Sequence, residues 1–200
     1  MMNSIQPHDL LWGITPQMLG HDIPQWVTAA VSHGHPVVVR RDVMINQMIP
    51  VGIRGRSRGE RFATHLHYNA ITKYVQPEQL AHVDLNLFPH LKDRLEQINT
   101  LMHRSGWAWG YTGSVGFELA TGLKTVTPQS DIDLIIRTPE AMCKKQATWL
   151  LEQLDQLALK IDVQLQTPRG GVALKEWARA TGKVLLKQSN AAVLTQNPWQ

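Results

Sequence analysis

Two aspartates one residue apart, Asp131 and Asp133, open an apolar run in "SDIDLIIR", and a third carboxylate, Asp162, stands among alternating apolar residues in "KIDVQLQT". Strand side chains alternate with a period of two, so Asp131 and Asp133 project from one face, about 7 Å apart along the strand. Carboxylates placed in a buried strand cost several kcal/mol each unless a cation or a charged partner offsets them. Hard oxygen ligands suit Mg²⁺ or Mn²⁺ rather than zinc. If the strand carrying Asp162 lies beside the strand carrying Asp133, all three carboxylates can meet on one face. Two divalent ions about 4 Å apart could then share them, the arrangement used in two-metal phosphoryl transfer.

The stretch just upstream, "GYTGSVGFELATG", supplies a complementary feature. Gly113 at a strand-to-helix turn lets the backbone approach a ligand closely. The helix that follows offers N–H groups and the positive end of its dipole, which suits phosphate. Ser114 adds a hydroxyl and reads as the N-cap, with Gly122 ending the helix. Phosphates seated at Gly113 and Ser114 would lie beside metal held by the aspartates.

The elements that must position these groups follow from periodicity. "GWAWGYTG", "DIDLIIR", "KIDVQLQT" and "KVLLK" read as strands. "PHLKDRLEQINTLMHR", "TPEAMCKKQATWLLEQLDQLAL" and "GVALKEWARA" read as helices, the second capped by Thr138 with Pro139 in its first turn. In the first part of the chain, "IPQWVTAAVSHG" reads as a helix, "HPVVVRR" as a strand, and "QMIPVGIRGRSRGERFATHL" as a strand broken by a loop. The fold class expected is α+β: a small N-terminal α/β domain over 1–80, then a domain over 81–200 with a mixed sheet flanked by helices. The boundary is placed between Val75 and Asn86, a stretch in which Pro77 can open a helix.

The chain has 200 residues and a formal charge of +4. The basic excess is concentrated early. Between Pro36 and Val75 stand Arg40, Arg41, Arg54, Arg56, Arg58, Arg61 and Lys73, opposed only by Asp42 and Glu60. Arginine forks bind phosphate bidentately, so Arg54, Arg56, Arg58 and Arg61 are candidates for an anionic ligand or partner. The single cysteine, Cys143, excludes an intrachain disulfide and a cysteine-rich zinc site, and it suits a reducing cytoplasm. No apolar run approaches the roughly 20 residues of a membrane span, and no signal peptide or membrane association is expected. The pairs His33/His35 and His65/His67 lack further spaced ligands and read as loop or surface histidines. Trp107 and Trp109 alternate on one strand and read as core.

Gly-Ser followed by Asp-x-Asp and a third carboxylate resembles the DNA-polymerase-β-like nucleotidyltransferase superfamily, with the match falling on Gly113, Ser114, Asp131, Asp133 and Asp162. A longer set of motifs, "PHDLLWG", "PVVVRR", "VGIRGRSRGER", "GYTGSVGFELATG", "SDIDLII", "TPRGGVALKEWAR" and "VLLK", covers nearly the whole chain. Together they resemble the malonate decarboxylase holo-acyl-carrier-protein synthase family, the phosphoribosyl-dephospho-CoA transferases. The resemblance implies a small first domain, binding substrate or carrier, before a nucleotidyltransferase catalytic domain. It implies transfer of a 2'-(5''-phosphoribosyl)-3'-dephospho-CoA group from its triphosphate donor to a serine of the apo acyl carrier subunit of malonate decarboxylase, with pyrophosphate leaving. It also implies Mg²⁺, or Mn²⁺, on Asp131, Asp133 and Asp162, with Asp162 as ligand or proton acceptor. A nucleotidyltransferase acting on another protein, an RNA or a small molecule keeps the aspartates and discards the carrier. A non-catalytic basic nucleic-acid-binding module accounts for the arginines and leaves three carboxylates unexplained, so nucleic acid is not the expected partner.

Overall fold

The computed structural model describes residues 5–55, 57 and 59–200. It has an α+β architecture in two compact units, Met1–Gln76 and Pro77–Gln200.

The first unit contains β1 (Leu10–Trp12), α1 (Gln25–Ser32), β2 (Val37–Val39), β3 (Met48–Arg54), β4 (Arg61–His67) and β5 (Lys73–Val75). Its five strands run in the order β4-β3-β2-β1-β5 with antiparallel pairing throughout. Ile49, Val51 and Ile53 recur at spacing two, and Val27, Ala30 and Val31 at helical spacing. These residues join Leu11, Val37, Val39 and Leu66 in one buried core. The expected broken strand is a hairpin, β3–β4, paired from Met48↔His67 to Arg54↔Arg61.

The second unit contains α2 (Pro77–Leu80), α3 (Lys92–Ser105), β6 (Ala108–Tyr111), α4 (Gly113–Thr121), β7 (Ile132–Arg137), α5 (Lys144–Asp155), β8 (Ile161–Thr167), β9 (Gly170–Ala173), α6 (Leu174–Arg179), β10 (Val184–Lys187) and β11 (Ala192–Thr195). The sheet is mixed. Its order is β11-β10-β9-β8-β7-β6, and among these pairs only β7–β8 is parallel. Register carries the alternation across strands, so Trp109, Tyr111, Leu134, Ile136, Val163 and Leu165 share one face. That face meets α3: the buried Tyr111 hydroxyl donates to Asn99 Oδ1 at 2.7 Å and to the Leu95 carbonyl at 3.2 Å. Burial pushes the Tyr111 phenol well above its ordinary pKa. The opposite face carries Gly110, Ile135, Arg137, Asp133, Asp162, Gln164, Gln166 and, beyond β9, Lys187. Pro77 of α2 rests on Gly110, where any Cβ would meet the Pro77 carbonyl oxygen at 1.9 Å. Arg137 Nε donates to Glu78 Oε1 at 2.6 Å and ties α2 to the same face.

Several local expectations are corrected. Thr138 does not cap a helix; it is buried after β7, and both its N–H and its hydroxyl donate to the Gln166 carbonyl, at 2.8 and 3.1 Å. Helix α5 starts later, capped by Cys143 with Gln146 closing a capping box. The stretch read as one helix from Gly171 begins as strand β9, and β11 adds an edge strand that was not expected. Trp109 is buried, but Trp107 precedes β6 and is half-buried.

Candidate active site

The parallel pairing of β7 with β8 sets Asp133 directly opposite Asp162, with Ile132 opposite Ile161 and Leu134 opposite Val163. Asp131 precedes β7 by one residue, and its neighbour Ile132 is held by an N–H bond to the Lys160 carbonyl at 2.8 Å. The strand start is less enclosed than the apolar run suggests. Asp131 and Asp133 are half-buried and Asp162 is exposed, so their desolvation is partial. Among the described residues, no three His, Cys, Asp or Glu side chains converge on a point that a metal ion would occupy. The backbone thus brings the three aspartates to the N-terminal ends of two neighbouring strands without closing their carboxylates into a cage. The donor set is all carboxylate oxygen, which fits Mg²⁺ or Mn²⁺.

Gly113 lies against the same strand end. Its φ is +62°, and a Cβ built there would fall 1.9 Å from Asp133 Oδ2 and 2.7 Å from its Cγ. Only glycine combines that left-handed conformation with such an approach. The Thr112 N–H donates to the Asp133 carbonyl at 2.8 Å and locks the end of β6 to β7 at the same point. The N-cap of α4 is Thr112, not Ser114: Gly113 and Ser114 are the first two helical residues. The Thr112 side chain makes no cap bond, so it takes none of the first-turn N–H groups. The positive end of the α4 dipole therefore opens beside the Asp133 carboxylate, a setting in which phosphate and a carboxylate-bound cation are neighbours.

The arginine candidates belong to the first unit. Arg54 and Arg61 face each other across the mouth of the β3–β4 hairpin and are exposed. Glu60 closes the turn between them. Its carboxylate accepts from the Ser57 N–H at 2.7 Å, and its side chain folds over Gly55, where a Cβ would meet it at 2.5 Å. Arg56 and Arg58 lie outside the described residues. His65 and His67 are exposed on β4, and no metal-binding group forms around them among the described residues.

Sequence reasoning missed Glu118 on α4. Its side chain is 2% exposed, and it accepts from the Thr125 and Val126 N–H groups, each at 2.7 Å, and from His90 Nε2 at 2.6 Å. The available signal is a lone acidic residue inside the otherwise apolar helix "VGFELA". Arg137, on the same strand as Asp133, is the partner of Glu78.

Comparison with known proteins follows the same two-part division. Residues 6–77 match the family model "Phosphoribosyl-dephospho-CoA transferase MdcG N-terminal domain", and residues 79–198 match the corresponding C-terminal domain model. A phosphoribosyl-dephospho-CoA transferase of Pseudomonas fluorescens is 42% identical over 199 residues, covering 100% of this chain and 97% of the relative. One of Pseudomonas aeruginosa is 42% identical over 201 residues, covering 98% and 94%. One of Azotobacter vinelandii is 40% identical over 203 residues, again covering 98% and 94%. No solved structure matches the chain.

Proposed function

The chain belongs to the phosphoribosyl-dephospho-CoA transferase MdcG family, and from that premise we propose that it attaches a 2'-(5''-phosphoribosyl)-3'-dephospho-CoA group to a serine of the apo acyl carrier subunit of malonate decarboxylase. The observation that carries this reading is the seating of Gly113, at the start of α4, against Asp133, itself in register with Asp162. Three segments thereby offer, side by side, an anion seat and a set of cation ligands, the two requirements of a triphosphate donor.

Asp131, Asp133 and Asp162 would hold Mg²⁺, or Mn²⁺. When bound, the ion neutralises triphosphate charge and lowers the pKa of a coordinated hydroxyl. The Gly113 and Ser114 N–H groups orient the outer phosphates at the end of the α4 dipole. The serine Oγ attacks the innermost phosphorus, an O–P bond forms in line, and the P–O bond to pyrophosphate breaks. Asp162, the exposed member of the set, receives the hydroxyl proton from the open side. Arg54 and Arg61 contribute positive charge for the anionic donor or carrier. No described helix is long and apolar enough to cross a membrane. The exposed free thiol of Cys143 suits a reducing, cytoplasmic setting.

The test is to mix the protein with Mg²⁺, the triphosphoribosyl-dephospho-CoA donor and the apo carrier subunit, and then weigh the carrier. A mass gain equal to the transferred group, together with one pyrophosphate per carrier, is expected. Chelation should stop the reaction, and Mg²⁺ or Mn²⁺ should restore it. An unmodified carrier in the presence of intact donor refutes the assignment.

A further inference from the structure

The connection from α4 to β7 delivers Asp131 and Asp133, yet it has no regular secondary structure of its own from Gly122 to Asp131. Such a segment holds a catalytic geometry only if something ties it down. The ties come from α4. Glu118 Oε2 accepts both the Thr125 and Val126 N–H groups at 2.7 Å. Thr125 Oγ1 donates to the Ser114 carbonyl at 3.0 Å, joining the segment to the first turn of the helix. Val126 is 7% exposed and anchors the segment by burial. Beyond it, the Thr127 N–H donates to Ser130 Oγ at 3.0 Å and the Ser130 N–H to the Thr127 carbonyl at 3.0 Å, a closed turn that ends one residue before Asp131. Glu118 Oε1 is held in turn by His90 Nε2 at 2.6 Å, ahead of α3.

We propose that Glu118, oriented by His90, is a positioning residue that fixes the 123–131 segment, and with it Asp131, against the first turn of α4. A buried carboxylate with two backbone donors on one oxygen and a histidine on the other has three of its four lone-pair directions committed, which holds both oxygens in place and makes it a rigid support. Glu118 touches none of the reacting groups and acts through Asp131. This role rests on the transfer reaction proposed above.

The test compares Glu118→Met with Glu118→Gln. Both remove the charge, but only methionine removes the oxygen on which the two N–H groups converge. In the folded Glu118→Met protein, kcat should fall about tenfold or more for the lost charge-assisted bonds, while the donor KM stays within about threefold. Glu118→Gln should recover most of the loss. In an Asp131→Asn background, Glu118→Met should cost less than about twofold more, since the two act as one unit. Amide exchange over 123–131 should accelerate in Glu118→Met while the 92–105 helix keeps its protection. A folded Glu118→Met protein with wild-type kcat, additive losses with Asp131→Asn, or unchanged protection over 123–131 overturns the proposal. If Glu118→Met does not fold, His90→Ala, which leaves both backbone bonds, should show the same exchange signature in weaker form, and its absence counts against the clamp. A wild type without transfer activity refutes the reaction and not the clamp, which the exchange arm then decides.

Discussion

Replacing Gly113 by alanine separates two effects that a single glycine normally confounds. The first is conformational: φ is +62°, and an L-residue in that region costs about 1–2 kcal/mol. The second is steric. The new Cβ would stand 1.9 Å from Asp133 Oδ2, whereas ordinary contact begins near 3.4 Å, so the carboxylate must retreat by about 1.5 Å. Gly122 provides the control. Its φ is +73°, but a Cβ there meets nothing within 4 Å. Gly122→Ala therefore carries the strain without the clash. Gly122→Ala should lose roughly 1 kcal/mol once the stiffer unfolded chain is counted, lowering the melting midpoint by about 2–4 °C, and Gly113→Ala, which adds the clash, should lose at least as much. Only Gly113→Ala should lose catalysis. A shift of about 1 Å at reacting groups can cost about a hundredfold, equivalent to about 2.7 kcal/mol of transition-state stabilisation. Thermal melts and carrier mass spectrometry under single-turnover conditions measure the two effects separately. Wild-type turnover in Gly113→Ala, or an equal loss in Gly122→Ala, would refute the claim that Gly113 and Asp133 form one site.

Asp131→Ala or Asp133→Ala should reduce transfer by about three orders of magnitude or more with the circular dichroism spectrum unchanged, and near-normal turnover in either would show that the metal ligands lie elsewhere. Arg54→Ala and Arg61→Ala should each raise the KM for donor or carrier about two- to fivefold at low ionic strength, an effect that salt should erase; a constant KM assigns these exposed arginines to solubility alone. Burial, and next the charge of His33, holds the His35 imidazole below its ordinary pKa of 6.5. The unfolded chain therefore binds the proton first as pH falls through that value, so stability present above 6.5 should decline below it and level off once the folded imidazole is also protonated. His35→Gln should flatten that part of the stability profile, and an unaltered profile in urea titrations at pH 5 to 8 would count against it.

Local pattern made much of the fold legible. The apolar spacing of Leu95, Ile98 and Met102 marks α3, and alternation in Ile161, Val163 and Leu165 marks β8. Gly122, at φ +73°, ends α4 where a helix C-cap glycine is expected. The failures share one cause. Thr138-Pro139 has the local signature of a helix start, but Thr138 finds a partner in the Gln166 carbonyl, and that long-range bond outcompetes capping. Gly171 reads as the start of a helix, yet Gly170 and Gly171 pair with Thr167 and Gln166 in strand β9.

The candidate site divides in the same way. The residue types and their two-residue spacing put Asp131 and Asp133 on one side of a strand, and Gly113 at a strand-to-helix turn, from chain stereochemistry alone. That Asp162 stands opposite Asp133, that Gly113 is pressed against that same carboxylate, and that Glu118 holds the intervening segment were decided by tertiary structure. Covalent geometry repeats every few residues and can be read along the chain. Strand register and the seating of a helix end arise between segments about thirty residues apart, where loop closure and shared burial select one arrangement among many that the local pattern allows.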